Sequence, residues 1–225
     1  MKMKPAWARN IPMSWLYRSI LFLAWCFFKI LYRHKVYGQE KLFTDAAIIA
    51  ANHSSYYDPP ILAISWPEEV HFLAREGLFK NPLFGALIRK LNAHPVSGDA
   101  SDIKVFKLIG QLLTEGKKII LFPEGQRGDT DALGDLKPGI AMLSSRSKSA
   151  VIPAYIHGSF KIWDHFHKLP KLWGHTACVY GSPILWSDFA HLDKKEAQKA
   201  LTERIAQSIN ALRAWYENGA KGTPP

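Results

Sequence analysis

Residues 46–60 read AAIIAANHSSYYDPP, and this stretch decides the fold. Six consecutive apolar residues without alternation describe a strand covered on both faces, because a strand with one wet face alternates apolar and polar positions. The Pro59-Pro60 pair then opens a helix, where the missing N–H groups leave no bond unmade. Working outward, short apolar runs recur at 70–74, 119–122, 151–156 and 177–180. Helical patterns at 60–65, 82–91, 103–115 and 140–147 lie between them. Strands alternating with helices imply βαβ units, so the expected fold is α/β: a mixed, largely parallel sheet covered by helices. Apolar residues at helical spacing over 194–216 add a terminal helix packed on the domain, and the tail 218–225 is expected to fray.

With 225 residues, of which 48% are hydrophobic, the chain can bury a full core without disulfides. Its two cysteines, Cys26 and Cys178, show no framework or zinc spacing, which fits a reducing, intracellular setting. No metal or cofactor is implied. The balance of 29 Lys+Arg against 19 Asp+Glu leaves a net charge of +10. Such an excess attracts nucleic acid or an anionic membrane.

The amino-terminal segment decides between them. Residues 1–39 carry Lys2, Lys4, Arg9, Arg18, Lys29, Arg33 and Lys35 with no acidic residue, around the run WLYRSILFLAWCFFKILY at 15–32. Nucleic-acid arms are not this apolar. The uncharged core between Arg18 and Lys29 rises about 15 Å as a helix, half of the roughly 30 Å hydrocarbon layer. Lys29, Ile30 and Leu31 stand where a signal peptide needs small residues. The reading is therefore an interfacial or shallowly inserted anchor, in preference to a full span or a helix packed on the domain. It gives a division into a membrane-association segment, 1–36, and an α/β domain, 37–225. The protein is expected at the cytoplasmic face of a membrane, as a monotopic or peripheral protein with no nucleic-acid partner.

In open α/β sheets ligands collect beyond the carboxyl ends of the strands, so the residues after each apolar run are the ones to inspect. They are Asn52 to Asp58, Arg75-Glu76-Gly77, and Pro123-Glu124-Gly125-Gln126-Arg127. Asp58 reads as the cap of the Pro59 helix, and the turn can bring its carboxylate to one nitrogen of His53, leaving the other free as a base. Glu124 can accept from hydroxyls, and Arg127 can fork onto a phosphate. Arg75 and Lys137 are further basic candidates. His165 and His167 read as exposed loop residues more readily than as metal ligands.

The pattern NHSSYYDP, then GLFKNPLFG at 77–85, FPEGQR at 122–127 and VIPA at 151–154, resembles the PlsC-like 1-acylglycerol-3-phosphate O-acyltransferase family. All four blocks stand in that family's order across roughly 36–185. The resemblance implies His53 as general base, Asp58 as its orienting partner, and Glu124 and Arg127 as binders of a glycerol phosphate acceptor. Asn52, Gly125, Arg75 and Lys137 fall into the same acceptor-binding set. Gln126 and Gly128 replace the family's usual Thr and Ser, and Ser97-Gly98 stand where an arginine is usual.

The implied reaction moves a fatty acyl group from acyl-CoA or acyl carrier protein, as co-substrate, to the free hydroxyl of lysophosphatidate or a related lysophospholipid. Backbone N–H groups near Gly125 or at the start of the Pro59 helix are the expected donors to the oxyanion. Lys80, Arg89 and Lys90 could meet the carrier. An acyl-enzyme on Ser54 or Ser55 lacks the nucleophile elbow. The competing readings are a non-catalytic peripheral lipid-binding protein on the same fold and an acyl thioesterase. Nothing in the sequence sets the oligomeric state.

Overall fold

The computed structural model describes residues 13–41, 45–97 and 103–225. Lys2, Lys4, Trp7, Arg9 and Gly98 lie outside them. Among the described residues, helix α1 (Trp15–Leu31) precedes strand β1 (Lys35–Tyr37) and strand β2 (Ala47–Ala51). Then follow α2 (Asp58–Ser65), β3 (Val70–Arg75), α3 (Pro82–Lys90), β4 (Ala93–Val96), α4 (Ile103–Thr114) and β5 (Lys118–Leu121). The chain continues through α5 (Gly139–Ser147), β6 (Ala150–His157), α6 (Ser159–Trp163), β7 (Ala177–Tyr180) and α7 (Lys194–Glu217).

The strands form one mixed sheet in the order β1-β7-β6-β2-β5-β3-β4. Every neighbouring pair is parallel except β6 and β7. The expected fold class is what the chain adopts. In β2, Ile49 faces a core built with α1 and α2, whereas Ile48 and Ala50 face a second core built with α4, α5 and α7. Two apolar faces explain the unbroken apolar runs. Because β2, β3, β5 and β6 run the same way, their carboxyl ends share one rim, and the polar segments of interest leave from it.

Three expectations change. The sequence reading omitted β1 and β4, short strands at the two edges. The tail 218–225 does not fray: left-handed turns at Gly219, Ala220 and Gly222 bring it back onto the domain. There Trp215 Nε1 donates to the Lys221 carbonyl at 2.9 Å, Pro224 is buried, and Lys41 Nζ donates to the Pro224 carbonyl. Finally, α1 packs on the domain along one face. Tyr17, Leu21 and Phe28, together with Tyr32 just beyond it, join the same core as Ile61 and Leu62 of α2. The Tyr17 hydroxyl accepts from the Val70 amide at 3.1 Å. The opposite face leaves Trp15, Leu23 and Ile30 exposed. The helix is thus at once a core element and an apolar outer surface. No helix among the described residues is long and apolar enough to cross a membrane.

Candidate active site

The loop after β2 carries His53, held by its side chain and by its backbone. Its Nδ1 lies 2.8 Å from Asp58 Oδ2, and that same oxygen accepts from the amides of Ser54 at 2.7 Å and Ser55 at 2.8 Å. An oxygen already accepting two N–H groups acts as an acceptor toward the ring as well. Nδ1 therefore carries a hydrogen, and in the neutral form of the ring the lone pair is on Nε2. Asp58 is fully buried. It was expected to cap α2, but it is the first helical residue and its carboxylate turns backward onto the loop. The closing of this loop is local, which is why a five-residue spacing suffices.

The loop after β5 grips His53 from the other side. Phe122 stacks on the imidazole at 3.8 Å between centroids and 14° between planes. The His53 amide donates to Glu124 Oε1 at 2.8 Å, and the His53 carbonyl accepts from the Gly128 amide at 2.8 Å. Glu124 Oε2 accepts from the Gly134 amide at 3.1 Å. Burial raises the Glu124 carboxyl above its ordinary range, against the pull of the two amides. With both oxygens on backbone amides, the buried Glu124 carboxyl fastens one loop to the other, a role the sequence reading did not give it. Asn52 changes in the same way. Its amide donates to the Ile156 carbonyl at 3.0 Å and its oxygen accepts from the Ile156 amide at 2.8 Å, so it joins the loop to β6 and presents nothing to a ligand.

Arg127 does face the rim. Its guanidinium lies 4.0 Å from the Tyr56 ring centroid, and burial followed by repulsion from Arg75 pulls its pKa down. Gly125 sits at φ +75°, and a Cβ there would come within 3.0 Å of Lys137 Nζ, so the lysine crosses directly over this glycine. Arg127 thus lies within electrostatic reach of both Arg75 and Asp58, and Lys137 covers the loop that carries Glu124 and Arg127. Of the expected oxyanion donors, the Gly125 amide itself and the first positions of α2 are taken. The Gly125 amide donates to the Phe122 carbonyl at 3.0 Å, the Asp58 amide to Ser55 at 3.4 Å, and Pro59 and Pro60 have no N–H to offer. The serines are unfit as nucleophiles: the Ser55 hydroxyl donates to the Trp163 carbonyl at 2.6 Å, and Ser54 is buried.

Trp163 is the residue that sequence reasoning missed. Besides holding Ser55, its carbonyl accepts from the Tyr56 amide, and its ring meets those of Tyr56 and Tyr57, each at 4.9 Å between centroids. Phe27 and Phe28 of α1 pack against Tyr57 from the other side. Its only sequence signal was the density of aromatic residues around 155–173.

The family model described as "Acyltransferase" matches residues 33–157, a span holding β1 to β6 together with His53, Asp58, Arg75, Glu124, Arg127 and Lys137. The chain belongs to the acyltransferase family. Over 180 residues the acyltransferase is 32% identical to the 1-acyl-sn-glycerol-3-phosphate acyltransferase of Bacillus subtilis (strain 168), covering 79% of this chain and 87% of that one. It is also 32% identical over 208 residues to the lyso-ornithine lipid O-acyltransferase of Rhizobium meliloti (strain 1021), covering 79% and 70% of the two chains. In fold it is similar to the crystal structure of the 1-acyl-sn-glycerophosphate acyltransferase PlsC from Thermotoga maritima. The TM-score is 0.71 at 21% identity, over 93% of this chain and 86% of that one.

Proposed function

We propose that the acyltransferase moves a fatty acyl group from a thioester donor, acyl-CoA or acyl carrier protein, to the free hydroxyl of lysophosphatidate or a related lysophospholipid. The observation that carries this reading is the His53–Asp58 pair: a ring nitrogen with a lone pair beside the rim, backed by a buried carboxylate at 2.8 Å. An alcohol is a poor nucleophile at neutral pH, and a neutral imidazole in reach of its proton supplies general-base catalysis. His53 Nε2 takes the hydroxyl proton as the oxygen bonds to the thioester carbon. The tetrahedral intermediate collapses with loss of the C–S bond, and the imidazolium returns the proton to the departing thiolate. Asp58 stabilises the imidazolium between these steps.

The acceptor is read from charge. Arg127, Arg75 and Lys137 supply a cationic rim suited to a phosphate monoester, with Arg127 able to fork onto two oxygens. The Bacillus relative's acceptor bears such a phosphate in its name, and the Rhizobium relative's a lyso-ornithine lipid. Both relatives transfer to lysolipids, and that shared chemistry fits an enzyme working at a membrane surface, with the outer face of α1 as anchor. The test is thiol release from acyl-CoA and from acyl carrier protein, with and without lysophosphatidate. Acceptor-dependent release that His53→Ala abolishes is the expected result. Acceptor-independent release would instead make the protein a thioesterase, and no release with either donor would leave a lipid-binding protein.

A further inference from the structure

We propose that residues 164–175 form a second membrane-entering element, a loop that inserts beside α1 into an anionic bilayer. The loop joins α6 to β7 and reads DHFHKLPKLWGH. Its side chains invert the usual order of a soluble surface: Leu169 is 80% exposed, Trp173 70% and Leu172 68%. Large apolar side chains clustered in one short loop mark an interaction site.

The loop is not a loose excursion. Asp164, its one acidic residue, is buried and accepts from the amides of Phe166 and His167 at 2.8 and 3.1 Å. Trp163 Nε1 donates to the His167 carbonyl at 3.0 Å, and the Lys171 amide donates to the Ile162 carbonyl at 2.9 Å. These bonds fix the base and leave the apolar tip outward, which lowers the cost of ordering the loop backbone on insertion.

Two observations commit the tip to a bilayer. The first is continuity with α1. The Tyr32 hydroxyl donates to the Lys171 carbonyl at 2.8 Å, and the Gly174 amide donates to the Leu31 carbonyl at 3.3 Å. The exposed end of α1 at Ile30 therefore borders the loop, and a surface that receives one receives the other. The second is charge. Lys168 and Lys171 flank Leu169 and are exposed, as suits lysines that keep their heads at the phosphate level while their stems follow apolar neighbours. A crevice of about 300 Å³ between the two elements is lined by Leu31, Arg33, Trp173, Gly174 and His175, which offers a cation at the depth of an anionic headgroup. Trp173 on its wall is the residue type that settles at a membrane interface. Through His165, whose Nε2 lies 3.1 Å from Asp129, the loop also touches the segment following Arg127. The inserted element thus lies beside the rim that must receive a lipid. The inference does not depend on the acyl-transfer reading, because membrane binding is measured directly.

The experiment is sedimentation of the full chain with vesicles of phosphatidylcholine, with and without phosphatidylglycerol. The triple variant Leu169→Gln, Leu172→Gln, Trp173→Gln should bind at least about 1,000-fold more weakly, since each side chain contributes about tenfold or more when buried. Its circular dichroism and melting temperature should match the parent's. Leu169→Gln alone, at the most exposed position, should weaken binding about tenfold or more. Lys168→Gln with Lys171→Gln should weaken binding by about fivefold per charge, on phosphatidylglycerol vesicles only. A nitrobenzoxadiazole probe on Leu169→Cys, in a Cys26→Ala background, should brighten and shift to the blue on vesicles. Unchanged vesicle binding by the triple variant, or a probe that stays in water, overturns the proposal and turns the loop into a surface for a protein partner.

Discussion

Replacing Asp58 by Asn removes a charge while keeping the shape of the site, and so isolates what the carboxylate contributes. Oδ2 accepts from His53 Nδ1, the Ser54 amide and the Ser55 amide. An asparagine can keep all three only with its carbonyl oxygen in that place, because an amide group facing three donors would lose every bond. The NH₂ then falls where Oδ1 now lies, buried and without a hydrogen-bond partner. Unpaired amide donors there cost about 1–3 kcal/mol, or roughly 2–12 °C in melting temperature for a domain of this size. The fold survives and Nδ1 stays the protonated nitrogen. What is lost is attraction for the imidazolium, about 4 kcal/mol for charge centres some 4 Å apart at an effective dielectric near 20. That corresponds to about a 10³-fold fall in kcat, with the acceptor KM held within about threefold. Initial rates of thiol release across acceptor concentrations measure both. A kcat within tenfold of the parent, or a KM that rises as steeply as kcat falls, would refute the assignment of His53 as a base supported by this charge.

Arg127→Lys keeps the charge but loses the planar fork and its stack on Tyr56. The KM for a phosphate-bearing acceptor should rise about ten- to hundredfold with kcat within about threefold, and an unchanged KM in the same assay would remove Arg127 from acceptor binding. Buried His34, between Thr176 Oγ1 and Ser65 Oγ at 2.9 Å each, has its pKa held down to about 3 by burial and then by Lys29. The unfolded chain takes up that proton below about pH 6.5 and the folded chain does not, so stability is full above pH 6.5 and falls through the window down to about 3. The loss from this residue is roughly 2 kcal/mol by pH 5. Urea midpoints at pH 7 and pH 5 should show a pH dependence smaller by that amount in His34→Asn, and identical dependences would contradict it.

What the sequence made legible follows from how local each determinant is. The strands β2, β5 and β6 are central, covered on both sides, and therefore written as unbroken apolar runs. Edge strands carry no such mark: β1 is three residues long, and β4 includes Pro95, which only an edge tolerates. The His53–Asp58 pair closes within one loop, so spacing alone suggested it. The roles of Asn52 and Glu124 are set by partners 104 and 71 positions away, and no local pattern separates a polar side chain that faces a ligand from one that fastens two loops. For α1 the difficulty was a choice posed as exclusive. An aromatic helix can bury Tyr17, Leu21 and Phe28 and still present Trp15, Leu23 and Ile30, because its two faces answer to different surroundings.

The contact of Phe27 and Phe28 with Tyr57, inside the NHSSYYDP block itself, bears on how such a protein can be handled. Trimming the greasy leader is the ordinary route to a soluble preparation, and it assumes that the leader is a tether. Here the cut would strip two aromatic rings from Tyr57, four residues after His53, and leave the hydrophobic side of α2 open to water. Detergent or lipid, rather than a shorter gene, is the means of solubilisation this architecture allows.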